Sequence, residues 1–330
     1  MITLMNNKNV ISSSITLFRN VKGYNFPIAM EEEIGRGLTE ELVEKNLSIN
    51  KNIEVIRFWK DEYNFENLKE QRIVRNKTLK NKNIVAVILD EKNNLSIIIN
   101  EEEHLRLQIT KGGYNIEEIY RYVREYDEKL ENGIDYMFSE TMGYLTSNIK
   151  HIGTGIKLEV MLHLPMLTLN EKINKLFSHK DKSIFTIEGK YGERGKAYGS
   201  IYLVKNITTT GISEEDLIDE FKTLLEYIIQ EEEKERRRAL KKYKNEIWDK
   251  IYRAYGILKE ARILDSIEAL DLLSYVRLGV ELGIIDIDIN TIEKAMLLSR
   301  NAYVRQHLDG ETSIDKINRK RADIIRVVLK

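Results

Sequence analysis

Between residues 84 and 110 three strand-like runs follow one another with almost no chain between them: Ile84 to Leu89 (IVAVIL), Leu95 to Ile99 (LSIII) and His104 to Thr110 (HLRLQIT). The DEKNN segment between the first two supplies turn residues, and the third alternates polar and apolar positions as a half-buried strand does. Connections this short cannot hold a crossover helix, so the strands must pair antiparallel. Further strand-like runs occur at Val160 to Leu164 and Ser200 to Val204. Asn115 to Leu130 reads as a helix, with Ile116, Ile119, Tyr120, Val123, Tyr126 and Leu130 on one face. A second helix is expected to start near Asn170, in LNEKINKLF. The class is α+β, an antiparallel sheet flanked by helices.

After about residue 212 the pattern turns helical. Ser213 and Asp216 have capping-box spacing ahead of LIDEFKTLLEYII. The mixed-charge stretch EEEKERRRALKKYKNEIWDK then reads as a solvated helix joining two lobes. Asp265 with Glu268 and Asn290 with Glu293 have N-cap spacing, and Gly283 is a stop for the helix before it. The expected division is residues 1–230, α+β, and residues 231–330, all-α.

Composition narrows the function classes. The 330 residues include 52 basic and 53 acidic side chains, a net charge of −1, which gives no general attraction to nucleic acid or to an anionic membrane. With no cysteine there is no disulfide framework and no thiolate metal site, and the five histidines (104, 151, 163, 179, 307) show no metal-ligand spacing. No apolar stretch approaches a membrane span, and MITLMNNKNV does not read as a signal peptide. A cytoplasmic protein with no nucleic-acid, membrane or metal partner is expected.

Four segments carry more specific chemistry: Val10 to Asn20, Asn100 to Gln108, Gly143 to Pro165 and Ile187 to Gly199. Glu101, Glu102 and Glu103 cluster at a strand end, where carboxylates can orient a guanidinium or take a proton from an attacking nitrogen. The GTG at 153–155 permits close backbone approach.

In this order the segments resemble the bacterial protein arginine kinases of the McsB type, within the phosphagen-kinase superfamily. The family pattern SSRIRLARN corresponds to Ser12 through Asn20, NEEDHLRIQ to Asn100 through Gln108, CPTNxGTGxRASVMxHLP to Asn148 through Pro165, and VRGxYGEGSEAxG to Ile187 through Gly199. The tail from Arg253 to Ile285 resembles the helical domain of the bacterial enzymes. The resemblance implies a phosphagen-kinase-like catalytic domain followed by a helical dimerisation domain, and phosphoryl transfer from ATP to protein arginines.

It also implies a cage of arginines around the ATP phosphates, and here the sequence departs from the family. The first two cage positions are Ser14 and Thr16; the third is kept as Arg106; the fourth is Lys157; the fifth is Glu188, a reversed charge. Asn148 replaces the family's active-site cysteine, while Glu101 and Glu102 keep the positions that hold the guanidinium and act as base. Lys150, Lys157, Lys190 and Arg194, in or near these motifs, are the cations available to supply replacement charge. The family's phosphoarginine-pocket motif RDxxRA falls on Ile317 to Ala322, where Arg321 and Ala322 remain. The expectation is a pseudokinase that needs no cofactor and acts as a homodimer through protein partners, which the resemblance supplies as a zinc-binding activator of the McsA type and the ClpC-type unfoldase system. One alternative is an active kinase using Mg-ATP in a remodelled site. The other is an adaptor that binds phosphoarginine.

Overall fold

The computed structural model describes residues 4, 7–176, 181–190, 197–308 and 313–330. In chain order the strands are β1 (Val10–Arg19), β2 (Glu54–Arg57), β3 (Ala86–Asp90), β4 (Leu95–Ile99), β5 (Leu105–Gly112), β6 (Phe138–Ser139), β7 (Gly143–Tyr144), β8 (Ile156–His163), β9 (Phe185–Gly189) and β10 (Ile201–Asn206). β6 and β7 make a small ribbon; the other eight form one antiparallel sheet in the order β2-β3-β4-β5-β1-β8-β10-β9. The predicted hairpin is β3–β4, and it turns through Asn94, whose φ of +54° is the left-handed conformation that asparagine tolerates.

Helices α1 (Glu32–Ile49), α2 (Phe65–Glu70), α3 (Ile116–Glu131), α4 (Pro165–Leu169), α5 (Asp181–Ile184) and α6 (Glu214–Lys242) are interleaved with the strands. Strand alternation sorts the sheet into two faces. Ile15 and Leu17, Leu105, Leu107 and Ile109, and Ile156, Leu158 and Val160 pack with Leu38 and Leu42 of α1, Ile119 and Val123 of α3, and Phe221 and Leu225 of α6. The opposite face carries Ser12, Ser14, Thr16 and Phe18 beside Arg106, Gln108 and Thr110, and is left to line a cleft.

Ser213 caps α6 as expected, accepting the Asp216 amide at 3.0 Å. The charged stretch is neither continuous nor fully solvated: the helix breaks at Tyr243 (φ −134°), and Glu232, Glu235 and Arg236 are buried. No helix starts at Asn170. Pro165 opens α4 instead, Asn170 ends it, and Glu171 turns left-handed (φ +52°) before a single 3-10 turn at Ile173–Lys175; Phe177, the last residue of the predicted segment, lies outside the described residues.

The remaining helices are α7 (Lys244–Glu260), α8 (Ser266–Glu281), α9 (Ile289–Leu298), α10 (Asn301–Gln306) and α11 (Ile314–Val328). Asp265 caps α8 and Gly283 (φ +69°) follows its end, as read. α9 is capped by Asp288, not Asn290, because its helix begins at Ile289. Ile317 and Ile325 of α11 face inward, whereas Ile314 is 78% exposed. The core of these helices includes Met161, Met166 and Ile201 from the sheet side. A buried ionic knot also joins the two parts: Glu281 of α8 meets His163 of β8 at 3.0 Å, Arg236 of α6 at 2.7 Å and Arg277 at 2.9 Å.

Candidate active-site cleft

The cleft, about 360 Å³, lies on the exposed face of β5, β1 and β8 beneath the segment that follows α2. Register sets its floor in rows: Gln108, Thr16 and Lys157 stand side by side, then Thr110, Ser14 and Glu159. Ser14, Thr16, Arg106 and Lys157, four of the positions that the resemblance implies face phosphate, line this one cleft. Ser14 is bonded into the sheet, donating to the Ile109 carbonyl and accepting from Thr110, each at 2.9 Å. Arg106 is 5% exposed and donates to the Ile73 carbonyl, with Glu101 at 3.8 Å. Its buried Nε has no partner among the described residues. Burial draws its guanidinium down to about 10 despite Glu101.

The lining is more cationic than the motif substitutions suggested. Lys69, Arg72 and Arg75 enter from α2 and the loop after it, joining Arg106, Lys157 and Lys190, against one carboxylate, Glu159. Burial, with Arg72 nearby, lowers Lys190 to about 8. Glu159 pairs with Lys157 at 2.8 Å. Burial pushes its carboxyl up, but Lys157, Lys190 and Lys205 outweigh that and hold it below the ordinary value. Glu188 does not line the cleft; it sits on β9 with a half-exposed side chain, paired with Lys205 at 2.8 Å.

The three glutamates at 101–103 divide their tasks. Glu101 is buried and bonded by Arg75 and Thr78. Burial raises its carboxyl, and Arg106 and Arg75 more than reverse that. Glu102 is more open and pairs with Lys77. Glu103 is a staple: it accepts from Asn20 at 2.7 Å, from the Ser147 amide and hydroxyl at 2.8 Å each, and from the Asn148 amide at 3.2 Å. That staple fixes Asn148, whose side chain caps the next turn by accepting from Lys150 at 3.2 Å. Lys150 is exposed and is not among the cleft-lining residues. Arg194 and the rest of Tyr191 to Lys196 lie outside the described residues.

The glycines at 153 and 155 serve packing. A Cβ on Gly153 would lie 2.2 Å from the Thr209 carbonyl oxygen, and one on Gly155 would lie 2.6 Å from Arg19 Nη1. Arg19 itself is buried between Asp127 at 2.8 Å and the Tyr144 ring at 3.6 Å. His151 stacks on Phe18 at 4.1 Å, next to the cleft wall. Far from the cleft, Arg321 is 1% exposed and donates to the carbonyls of Ser299 and Leu264, both at 2.7 Å, and to Asn318 at 2.6 Å. Its guanidinium braces α11 against its neighbours and is not presented to a ligand.

Residues 34–235 match the family described as ATP:guanido phosphotransferase, C-terminal catalytic domain, and residues 244–330 match the protein-arginine kinase McsB C-terminal domain. A protein-arginine kinase of Clostridium acetobutylicum is 38% identical, over 99% of this chain and 98% of the relative. The chain belongs to the protein-arginine kinase family. Another protein-arginine kinase, from Bacillus cereus, is 33% identical over 97% of this chain and 92% of its own length. The fold is that of the phosphagen kinases: a lombricine kinase superimposes with a TM-score of 0.61 at 19% identity, over 73% of this chain and 70% of that one.

Four charged residues of the cleft were missed in the sequence. Lys69, Arg72 and Arg75 belong to a short helix and an irregular loop with no periodic signal. Glu159 was legible: it stands at the serine of the pattern RASVM, two residues after Lys157.

Proposed function

We propose that this protein is a protein-arginine pseudokinase, a kinase scaffold that works through protein contacts without normal phosphoryl transfer. One observation carries the reading. At the positions where the family motif places phosphate-facing arginines, Ser14 is bonded into the sheet and Lys157 is bonded to a carboxylate inside the same cleft. Phosphoryl transfer depends on positioning and charge neutralisation, and one stabilising arginine is worth about 10³–10⁵ in rate. Mg-ATP therefore fits this lining poorly. Protein partners of the McsA and ClpC types, a homodimer and a cytoplasmic setting belong to the same proposal. Among the described residues no helix is long and apolar enough to cross a membrane.

A second reading has support of its own. Six cations line the cleft, three of them from the segment after α2 and its helix end, and Glu101 and Glu102 are held at its edge by Arg75 and Lys77. That arrangement favours an active kinase with a remodelled nucleotide site. The discriminating experiment assays protein-arginine phosphorylation by the full chain, with and without an activator, beside a variant carrying Ser14→Arg, Thr16→Arg, Lys157→Arg and Glu188→Arg. Activity in the variant alone supports the pseudokinase. Ordinary kinase turnover by the wild type overturns it and establishes the second reading.

A further inference from the structure

Glu159 is the one acidic side chain among the cleft-lining residues described. It projects from the middle of the sheet, opposite Ser14 on β1 and Lys205 on β10, with 19% of its side chain accessible. Its bond to Lys157 is short, at 2.8 Å, and Lys190 and Lys205 reinforce its charge. Clustered cations in a half-buried cleft repel one another and need a counter-charge. A carboxylate offers two oxygens sharing one negative charge, the kind of acceptor a lysine also finds on a phosphate.

We propose that Glu159 is a resident counter-anion, seated among Lys157 and Lys190 in the place a ligand phosphate would take, and that it sets a low affinity of this cleft for polyphosphate anions. The proposal rests on the reading of the cleft as a degenerate phosphate site, and adds the residue that keeps phosphate out. Two consequences follow. Neutralising Glu159 takes from Lys157 its bonded carboxylate and from Lys190 a nearby negative charge, while Arg75 and Arg106 keep Glu101, so the empty variant is less stable than the wild type. The same variant then recovers stability when a polyanion binds, because a ligand that binds only the folded state stabilises it.

The test titrates the full chain, free of magnesium, with tripolyphosphate and separately with ATP, by calorimetry and thermal melting. The variants are Glu159→Gln, Glu159→Ser and Glu159→Asp, with Asp135→Asn as a control that removes one exposed charge elsewhere. The expected result is tripolyphosphate binding at least tenfold tighter in Glu159→Gln and Glu159→Ser, equivalent to about 1.4 kcal/mol, with Glu159→Asp and Asp135→Asn within about twofold to threefold of the wild type. ATP gaining in parallel identifies the phosphate chain as the bound part. If one neutral variant fails to fold, the other carries the comparison. If both do, tripolyphosphate must restore their melting transitions, and failure to do so overturns the proposal. Equal affinity in the wild type and a folded neutral variant also overturns it. The outcome is read as a ratio of affinities, so phosphoryl transfer by the wild type would remove the pseudokinase reading without deciding this one.

Discussion

Replacing Glu281 by glutamine removes the charge at the centre of the knot between the sheet and the C-terminal helices. The carboxylate is 1% exposed and faces three partners: the Nδ1–H of His163 at 3.0 Å, Arg236 at 2.7 Å and Arg277 at 2.9 Å. Because a carboxylate only accepts, Nδ1 of His163 carries the proton, and its Nε2 accepts from the Ser274 hydroxyl at 2.9 Å. Breaking a buried ion pair costs about 3–5 kcal/mol. Here the low end applies, since Glu232 stays 2.8 Å from Arg236 and Glu293 stays 2.8 Å from Arg277. Linkage gives a similar size. Burial pushes the Glu281 carboxyl up, but His163, Arg236 and Arg277 draw it down to about 2 from 4.5, which corresponds to about 3 kcal/mol. The folded value lies below the unfolded one, so this stability is present above pH 4.5 and is lost as the pH falls toward 2. Urea unfolding of wild type and Glu281→Gln at pH 7 and at pH 3 is the assay. A loss of about 3 kcal/mol at pH 7 that narrows at pH 3 is expected. A difference below about 1 kcal/mol at pH 7 would refute the reasoning.

Other perturbations test separate parts of the structure. Gly155→Ala places a side chain at φ +64° and 2.8 Å from the Phe18 carbonyl oxygen, so it should cost about 2 kcal/mol or more in the melting transition. Arg321→Met strips donors from the buried carbonyls of Ser299 and Leu264; a loss of about 3 kcal/mol and faster amide exchange in α11 are expected. His104 and His151 are both drawn down to about 4, chiefly by burial. Their imidazole NMR signals should stay in the neutral form through pH 5.5. Their folded values lie below the unfolded 6.5, so their contribution to stability is full above that pH and drains away as the pH falls toward 4.

How much of this was legible follows from the physics of each segment. α3 was plain because one face is buried and its hydrophobic period is undisturbed, and the β3–β4 hairpin because both of its faces are buried, which leaves continuous apolar runs on either side of a turn segment. β1, the central strand, was singled out as a motif without being read as a strand. Its cleft-facing side chains are polar by function, and SSS at 12–14 hides the alternation. The break at Tyr243 was missed because neither glycine nor proline marks it. The cap of α9 was placed at Asn290 since a second short polar residue, Asp288, stood two positions earlier and won. In the cleft, the family resemblance had grouped Ser14, Thr16, Arg106 and Lys157, and strand register sets them on one face of the sheet. Glu188 was the carboxylate expected to oppose phosphate, yet Glu159, two strands away on β8, lines the cleft and Glu188 pairs outside it. Arg72 and Arg75 enter from a loop whose path depends on tertiary packing alone.

The central claim is that this protein-arginine kinase scaffold does not carry out the family's reaction at a normal rate. It is tested most directly by ³¹P NMR of the full chain incubated with Mg-ATP and an arginine-rich protein substrate, in the presence of an activator. The ATP resonances should persist, and no phosphoarginine signal should grow in. A phosphoarginine resonance accumulating at a rate comparable to that of an active family member, and abolished by Glu102→Gln, would contradict it.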